Sequence, residues 1–178
     1  MAPRPGRRYP GIREVAVNEV PELLERYRRG PEVIATLLTG AAGAELDFKP
    51  APEKWSLRQI VAHLADAEIV AADRFRRVIA EDNPTLTGYD QNAWAANLNY
   101  GKRKTSESVE LFRRLRADGY ELLKDLAPET FARRGSHSER GSVTLRDLLE
   151  TMAEHAESHG RQVQRVREAY KQARQAHA

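Results

Sequence analysis

Cysteine is absent from all 178 residues. That excludes a disulfide scaffold, a thiolate metal site and a cysteine nucleophile, and leaves imidazole and carboxylate as the obvious metal ligands. Long apolar runs are absent too, since none approaches the roughly 20 residues needed to span a bilayer. The opening stretch Met1-Ala2-Pro3-Arg4-Pro5-Gly6-Arg7-Arg8 is basic but lacks the apolar core of a signal peptide, so a cytoplasmic location with no membrane partner is expected. Apolar and polar residues nowhere alternate with period two over several positions, so no strand is expected. There is no internal repeat, no low-complexity segment, no glycine-rich phosphate loop and no Ser-His-Asp arrangement with a supporting context. Charge of one sign is not concentrated either. The net charge is +3 and the pI about 9.3. The basic residues sit among acids, as where Arg113-Arg114 follows Glu110 and where Arg165 and Arg167 precede Glu168. Interleaved charges mark solvated helix faces, and the contiguous basic stripe that nucleic acid needs is missing.

What the chain does carry is the 3.6-residue period, four times over. The hydrophobic share of 40% suits one globular domain over residues 1–178, with an ordered part at about 18–172 and a basic arm at 1–17. The first helix is expected over residues 19–38, capped by Asn18, with Val20, Leu23, Leu24, Tyr27, Ile34, Leu37 and Leu38 as its stripe. Gly30-Pro31 falls in its middle. Proline removes a backbone donor and clashes one turn back, which predicts a kink or two shorter helices. The second helix, residues 57–80, has the clearest start: Ser56 as N-cap, Gln59 completing a capping box, and Trp55 and Ile60 at the staple positions. The third, residues 107–126, turns Val109, Phe112, Leu115, Leu122, Leu123 and Leu126 inward. The fourth starts at the Thr144 cap, with Asp147 three residues on, and runs to about residue 172. A connection over residues 81–105 is long enough to serve as a lid or pocket wall. The fold class is therefore all-α, a four-helix bundle.

His155 and His159 are four residues apart in the fourth helix, so their rings lie on one face about 6 Å apart along the axis. The stripe Leu145, Leu148, Met152, His155, His159, Val163, Val166, Tyr170 advances by three or four throughout, which turns both histidines inward. His63 shares a face of the second helix with Ile60, Ala67 and Val70. Three neutral imidazoles suit zinc, nickel or a similar divalent ion. Three protein ligands leave a position for water, as in catalytic sites; a structural zinc is normally closed by four. The alternative reading is that these are buried histidines with ordinary hydrogen bonds. His137, in the polar loop over residues 133–142, is expected to be exposed or capping, and His177 to lie in a frayed tail.

Three stretches carry a wider resemblance: Lys54-Trp55-Ser56-Leu57-Arg58-Gln59-Ile60-Val61-Ala62-His63-Leu64-Ala65-Asp66-Ala67-Glu68; Asp82-Asn83-Pro84 through Tyr89-Asp90-Gln91-Asn92-Ala93-Trp94; and His137 to Leu145 followed by His155-Ala156-Glu157-Ser158-His159. With them the chain resembles the DinB-like superfamily, in the branch of YfiT-type metal-dependent hydrolases and thiol S-transferase-like proteins. The resemblance implies an up-down-down-up bundle with a long connection between its second and third helices. It also implies one divalent ion, zinc or nickel, on His63, His155 and His159, and a homodimer. The reaction it implies is activation of water or of a low-molecular-weight thiol toward a small-molecule substrate. A non-catalytic metal-binding stress-response or interaction protein is the alternative.

Around these ligands, Asp66 is a candidate to orient a histidine or accept a proton, set against an ordinary surface salt bridge. Tyr89 and Trp94 are candidate pocket walls, set against Trp94 closing the end of the core. Glu154 and Glu157 are expected at the surface or an interface. Arg74 and Arg77 are expected to pair with Asp73, Glu81 or Asp82 rather than to hold an anionic substrate.

Overall fold

The computed structural model of the protein describes residues 19–176. The expected Asn18 cap, the basic arm and His177 lie outside them. In chain order the helices are α1 (Val20–Leu37), the short α2 (Ala44–Asp47), α3 (Leu57–Ala80), α4 (Gln91–Asn97), α5 (Thr105–Leu123) and α6 (Leu145–Gln175). Capping boxes open the two longest. Ser56 Oγ accepts the Gln59 amide, while Gln59 Oε1 accepts the Ser56 amide at 3.1 Å. Thr144 and Asp147 exchange the same pair of bonds. Each box satisfies amides that a helix start leaves without partners.

Residue pairs fix the arrangement of the four long helices. Arg26 pairs with Glu157 at 2.8 Å and Arg167 reaches the Leu37 carbonyl at 2.6 Å, so α1 and α6 run side by side in the same direction. Glu68 with Arg116 and Arg76 with Asp118 make α3 and α5 a second parallel pair. Contacts between the pairs run the other way: Glu32 meets Arg113 while Tyr27 meets Arg116. On α3 and α6, Phe75 and Val78 pack with Leu145 and Leu148, whereas Ile60 and Leu64 pack with Ala156 and Val163. The order is up-down-down-up. Because α3 and α5 are parallel, residues 81–104 must travel back along the length of α3, about 36 Å for 24 residues. Among the described residues no helix is long and apolar enough to cross a membrane.

A small sheet corrects the expectation of no strand. Strand β1 (Thr85–Leu86) lies parallel to β2 (Arg134–His137), which pairs antiparallel with β3 (Gly141–Thr144). These strands are too short for alternation to show. Gly135 belongs there because a Cβ would fall 2.9 Å from Leu86 Cδ1. His137 is in β2 rather than in a loop, and is only 6% exposed.

Helix α1 passes Pro31 without ending, so of the two expected outcomes, a kink or two shorter helices, the second does not occur. Proline leaves the Tyr27 carbonyl, four residues back, without its helical donor. Arg116 Nη1 of α5 donates to that carbonyl at 2.7 Å. The same guanidinium binds Glu68 Oε2 of α3 at 2.8 Å, donates to the Met152 carbonyl of α6 at 3.1 Å, and lies 4.0 Å from the centre of the Tyr27 ring. Tyr27 Oη donates to Glu68 Oε1 at 2.5 Å. Arg116 and Glu68 are 1% and 0% exposed. The inward stripe of α5 is therefore Ser108, Phe112, Arg116, Gly119 and Leu123, and the expected Leu115 is only half-buried. At Gly30 a Cβ would fall 2.9 Å from Ala156 Cβ and 3.0 Å from Arg116 Nη1, so the residue before the proline must be bare.

Removing one member of a buried ion pair leaves the other charge uncompensated, at a cost of about 3–5 kcal/mol. Arg116→Met is expected to lose that much in urea denaturation. Pro31→Ala in the same background returns an N–H to the Tyr27 carbonyl and is expected to recover about 1 kcal/mol. Equal stability of the single and double variants is the contrary result.

Candidate metal centre

Helix α3 presents His63 and helix α6 presents His155 and His159. His63 is fully buried, and the other two are half-buried. His63 Nε2 lies 3.0 Å from His155 Nε2, and His159 Nε2 lies 3.1 Å from the same atom. An imidazole nitrogen carries either one in-plane lone pair or one proton. His155 Nε2 therefore cannot form two good hydrogen bonds at once, to His63 and to His159. Three lone pairs aimed at one cation resolve the conflict. Ligands about 2.0–2.1 Å from a tetrahedral zinc stand about 3.3 Å apart, close to the observed spacing. Among the described residues this is the cluster that could hold a metal ion.

The remaining ring atoms fit the same reading. His159 Nδ1 lies 2.8 Å from Gln162 Oε1, an acceptor that places the proton on Nδ1 and frees the Nε2 lone pair. His63 Nδ1 and His155 Nδ1 are buried and have no hydrogen-bond partner. Trp55, expected as a staple residue, also covers the site: its ring is 4.9 Å from His63 and nearly parallel to His159 at 6.4 Å. Burial lowers the His63 pKa to about 3, with nearby His159 adding to the effect. Burial also holds His155 well below its usual value, with His159, His63 and Arg116 contributing. Burial lowers His159, and Gln162 partly opposes it. The rings are thus neutral ligands at pH 7. Among the described residues no carboxylate joins the cluster, so a divalent ion held by these three rings would keep its full charge.

Asp66 is buried, and its carboxylate takes a hydrogen bond from Arg103 Nη1 at 2.5 Å. It bonds to no histidine among the described residues; it makes a salt bridge to Arg103 in which only the arginine reaches the surface. Tyr89 and Trp94 are in ring contact at 4.3 Å. Trp94 packs with Ala62, Ala95 and Tyr100, beside the first turns of α3. His137 is not brought to the triad; its Nδ1 accepts the Glu139 amide at 3.2 Å. Glu157 meets Arg26 near the surface. Arg77 makes the expected pairs with Asp73 and Glu81. Arg74 makes none, and donates instead to the Thr87 carbonyl at 2.7 Å. Two surface hollows of about 560 and 510 Å³ lie away from the triad, one lined by Leu38, Arg58 and Val109 and the other by Asn83 and Arg134. Sequence reasoning missed Gln162, Trp55 as a cover, and Arg103. Only Gln162 had a readable signal, its i+3 spacing from His159.

Replacing a residue that orients a metal ligand typically costs 10–100-fold in metal affinity. Gln162→Leu is expected to weaken metal binding by about that much in a competitive chelator titration, while His137→Ala leaves it unchanged. A pH dependence also follows. The unfolded chain binds protons on these rings near pH 6.5, and the folded metal-free protein does not. Stability of the metal-free protein therefore falls as pH drops below 6.5, and for His63 the loss levels off only near pH 3. The slope is about 1.4 kcal/mol per pH unit for that ring. Urea melts at pH 7 and pH 5 should show a shallower slope for His63→Gln.

Comparison with known proteins agrees with this architecture. A protein of Oceanobacillus iheyensis named "putative metal-dependent hydrolase" is 28% identical over 143 residues, covering 80% of this chain and 78% of its own length. YfiT of Bacillus subtilis, which bears the same name, is 28% identical over 117 residues, covering 65% of this chain and 66% of its own. The solved structure of YfiT, described as a four-helix bundle of unusual topology, superposes with a TM-score of 0.82 at 22% identity, over 89% of this chain and 91% of that one. The family model described as the DinB superfamily matches residues 26–163. This chain, with its up-down-down-up bundle and its three-histidine centre, belongs to the DinB superfamily.

Proposed function

We propose that the chain is a metal-dependent enzyme whose ion, zinc or nickel, is held by His63, His155 and His159 and activates water or a low-molecular-weight thiol. The observation that carries the reading is the convergence of three neutral Nε2 atoms with no fourth ligand among the described residues. When bound, such an ion lowers the pKa of a coordinated water or thiol toward neutrality. The chain's own residues supply the rest. His63 is fixed by burial, and Gln162 holds the His159 ring in the tautomer that ligation requires. Trp55 shields the two outer rings from water on one side. Tyr89 and Trp94, in the connection beside α3, form the wall against which a small substrate would lie. Asp66 acts here as a positioning residue: it binds Arg103 and so ties the connection to the helix that bears His63. A hydrolase and a thiol transferase need the same centre and differ in which nucleophile fits beside that wall.

The test is direct. Metal content of the purified protein is expected to be one divalent ion per chain and to vanish in His155→Ala. Hydrolysis of activated esters and amides, and conjugation of small thiols to a model electrophile, should be measured on both proteins. Activity in one panel that drops to background in the variant is expected. Unchanged metal content in His155→Ala would sink the site, and full metal loading with no turnover in either panel would favour a non-catalytic metal protein.

A further inference from the structure

Two stripes of side chains lead away from the triad along neighbouring helices. On α3 they are His63, Asp66, Val70 and Arg74, and on α6 they are His159, His155 and Thr151. Because α3 and α6 are antiparallel, both stripes run toward the same end. At that end Arg74 donates to the Thr87 carbonyl, yet its Nε is buried with no partner and, among the described residues, it forms no ion pair. Arg140, from the turn between β2 and β3, meets Thr151 Oγ1 at 3.2 Å. His137 stands in register with Leu86, next to Thr87, and accepts the Glu139 amide at Nδ1, which leaves its Nε2–H as a donor. Burial lowers the His137 pKa, Arg74 and Arg140 lower it further, and the Glu139 carboxylate partly opposes them. The natural acid for Arg74, Asp73, is taken by Arg77. The Glu139 carboxylate lies against Gly88, within electrostatic reach of Arg74 and His137, so one acid stands beside two arginines. Tyr89 lies within electrostatic reach of both Arg74 and Asp66.

We propose that Arg74, Arg140 and His137 form an anion subsite, so that the substrate carries a carboxylate about 10 Å from the atom that meets the metal. The spacing follows from the helices. Arg74 is eleven residues beyond His63, about 16 Å along the axis, and its side chain reaches part of the way back. Thr151 is one turn, about 6 Å, from His155. The subsite deepens the metal-dependent reading and rests on it for the position of the reacting atom.

The test uses cobalt-loaded protein titrated with mercaptooctanoate and with mercaptooctanol, two thiols of equal length. The thiolate-to-cobalt absorption band reports coordination of either. The acid is expected to bind at least about tenfold more tightly than the alcohol, and Arg74→Met and Arg140→Met should each erase most of that preference while leaving the alcohol and the cobalt content unchanged. A second arm needs no metal: octanoate titrated into metal-free protein, followed by tryptophan fluorescence, should weaken about fivefold or more in either variant. Equal binding of acid and alcohol, or a preference that survives both substitutions, overturns the subsite. Absence of a cobalt band with both thiols overturns the metal reading instead. Octanoate binding that is absent, or unchanged in both variants, overturns the subsite even then.

Discussion

The ion pair between Arg116 and Glu68 is the constraint around which the bundle is arranged. A charge taken out of water must find partners or cost several kcal/mol. Here the partners come from every long helix: a carboxylate from α3, a carbonyl and a ring from α1, a carbonyl from α6, and the guanidinium itself from α5. A shift of any one helix leaves a donor or acceptor unmatched. Glu68 is five residues past His63, and Met152 is three before His155. The pair therefore holds α3 and α6 at a fixed separation close to the place where their histidines must meet.

Local signals in the sequence were enough for the helices and for two of the three histidines that converge. The Ser56–Gln59 and Thr144–Asp147 boxes are short-range chemistry and appear where their spacing puts them. The histidine stripe of α6 follows from period alone. What could not be read was tertiary. Pro31 looks like a break because its missing donor is evident from the chain, while the arginine that serves the stranded carbonyl lies 85 positions away. Arg116 reads as surface by type, so Leu115 beside it was taken for the core residue. The sheet escaped notice because its strands of two to four residues are held by pairing across distant segments, not by their own pattern. Arg103 on Asp66 is the same case: no spacing rule links the two residues.

The length of the connection has a topological cause. Parallel neighbours cannot be joined by a tight turn, so the chain has to run back beside α3. Doing so lays Tyr89, Trp94, Tyr100 and Arg103 along the flank of the helix that carries His63. Arg74, Asp66 and Arg58 fasten it there, through the Thr87 carbonyl, the Arg103 side chain and the Arg103 carbonyl.

This division has a bearing on how such a protein can diversify. The three histidines stand on helices whose spacing is set by the buried pair, whereas the connection is a strip fastened to one helix by a few polar bonds. Substitutions in the strip can change what fits beside the centre without disturbing the packing that builds it. The strip and the helical frame can thus vary separately in this chain, because only a few polar bonds join them.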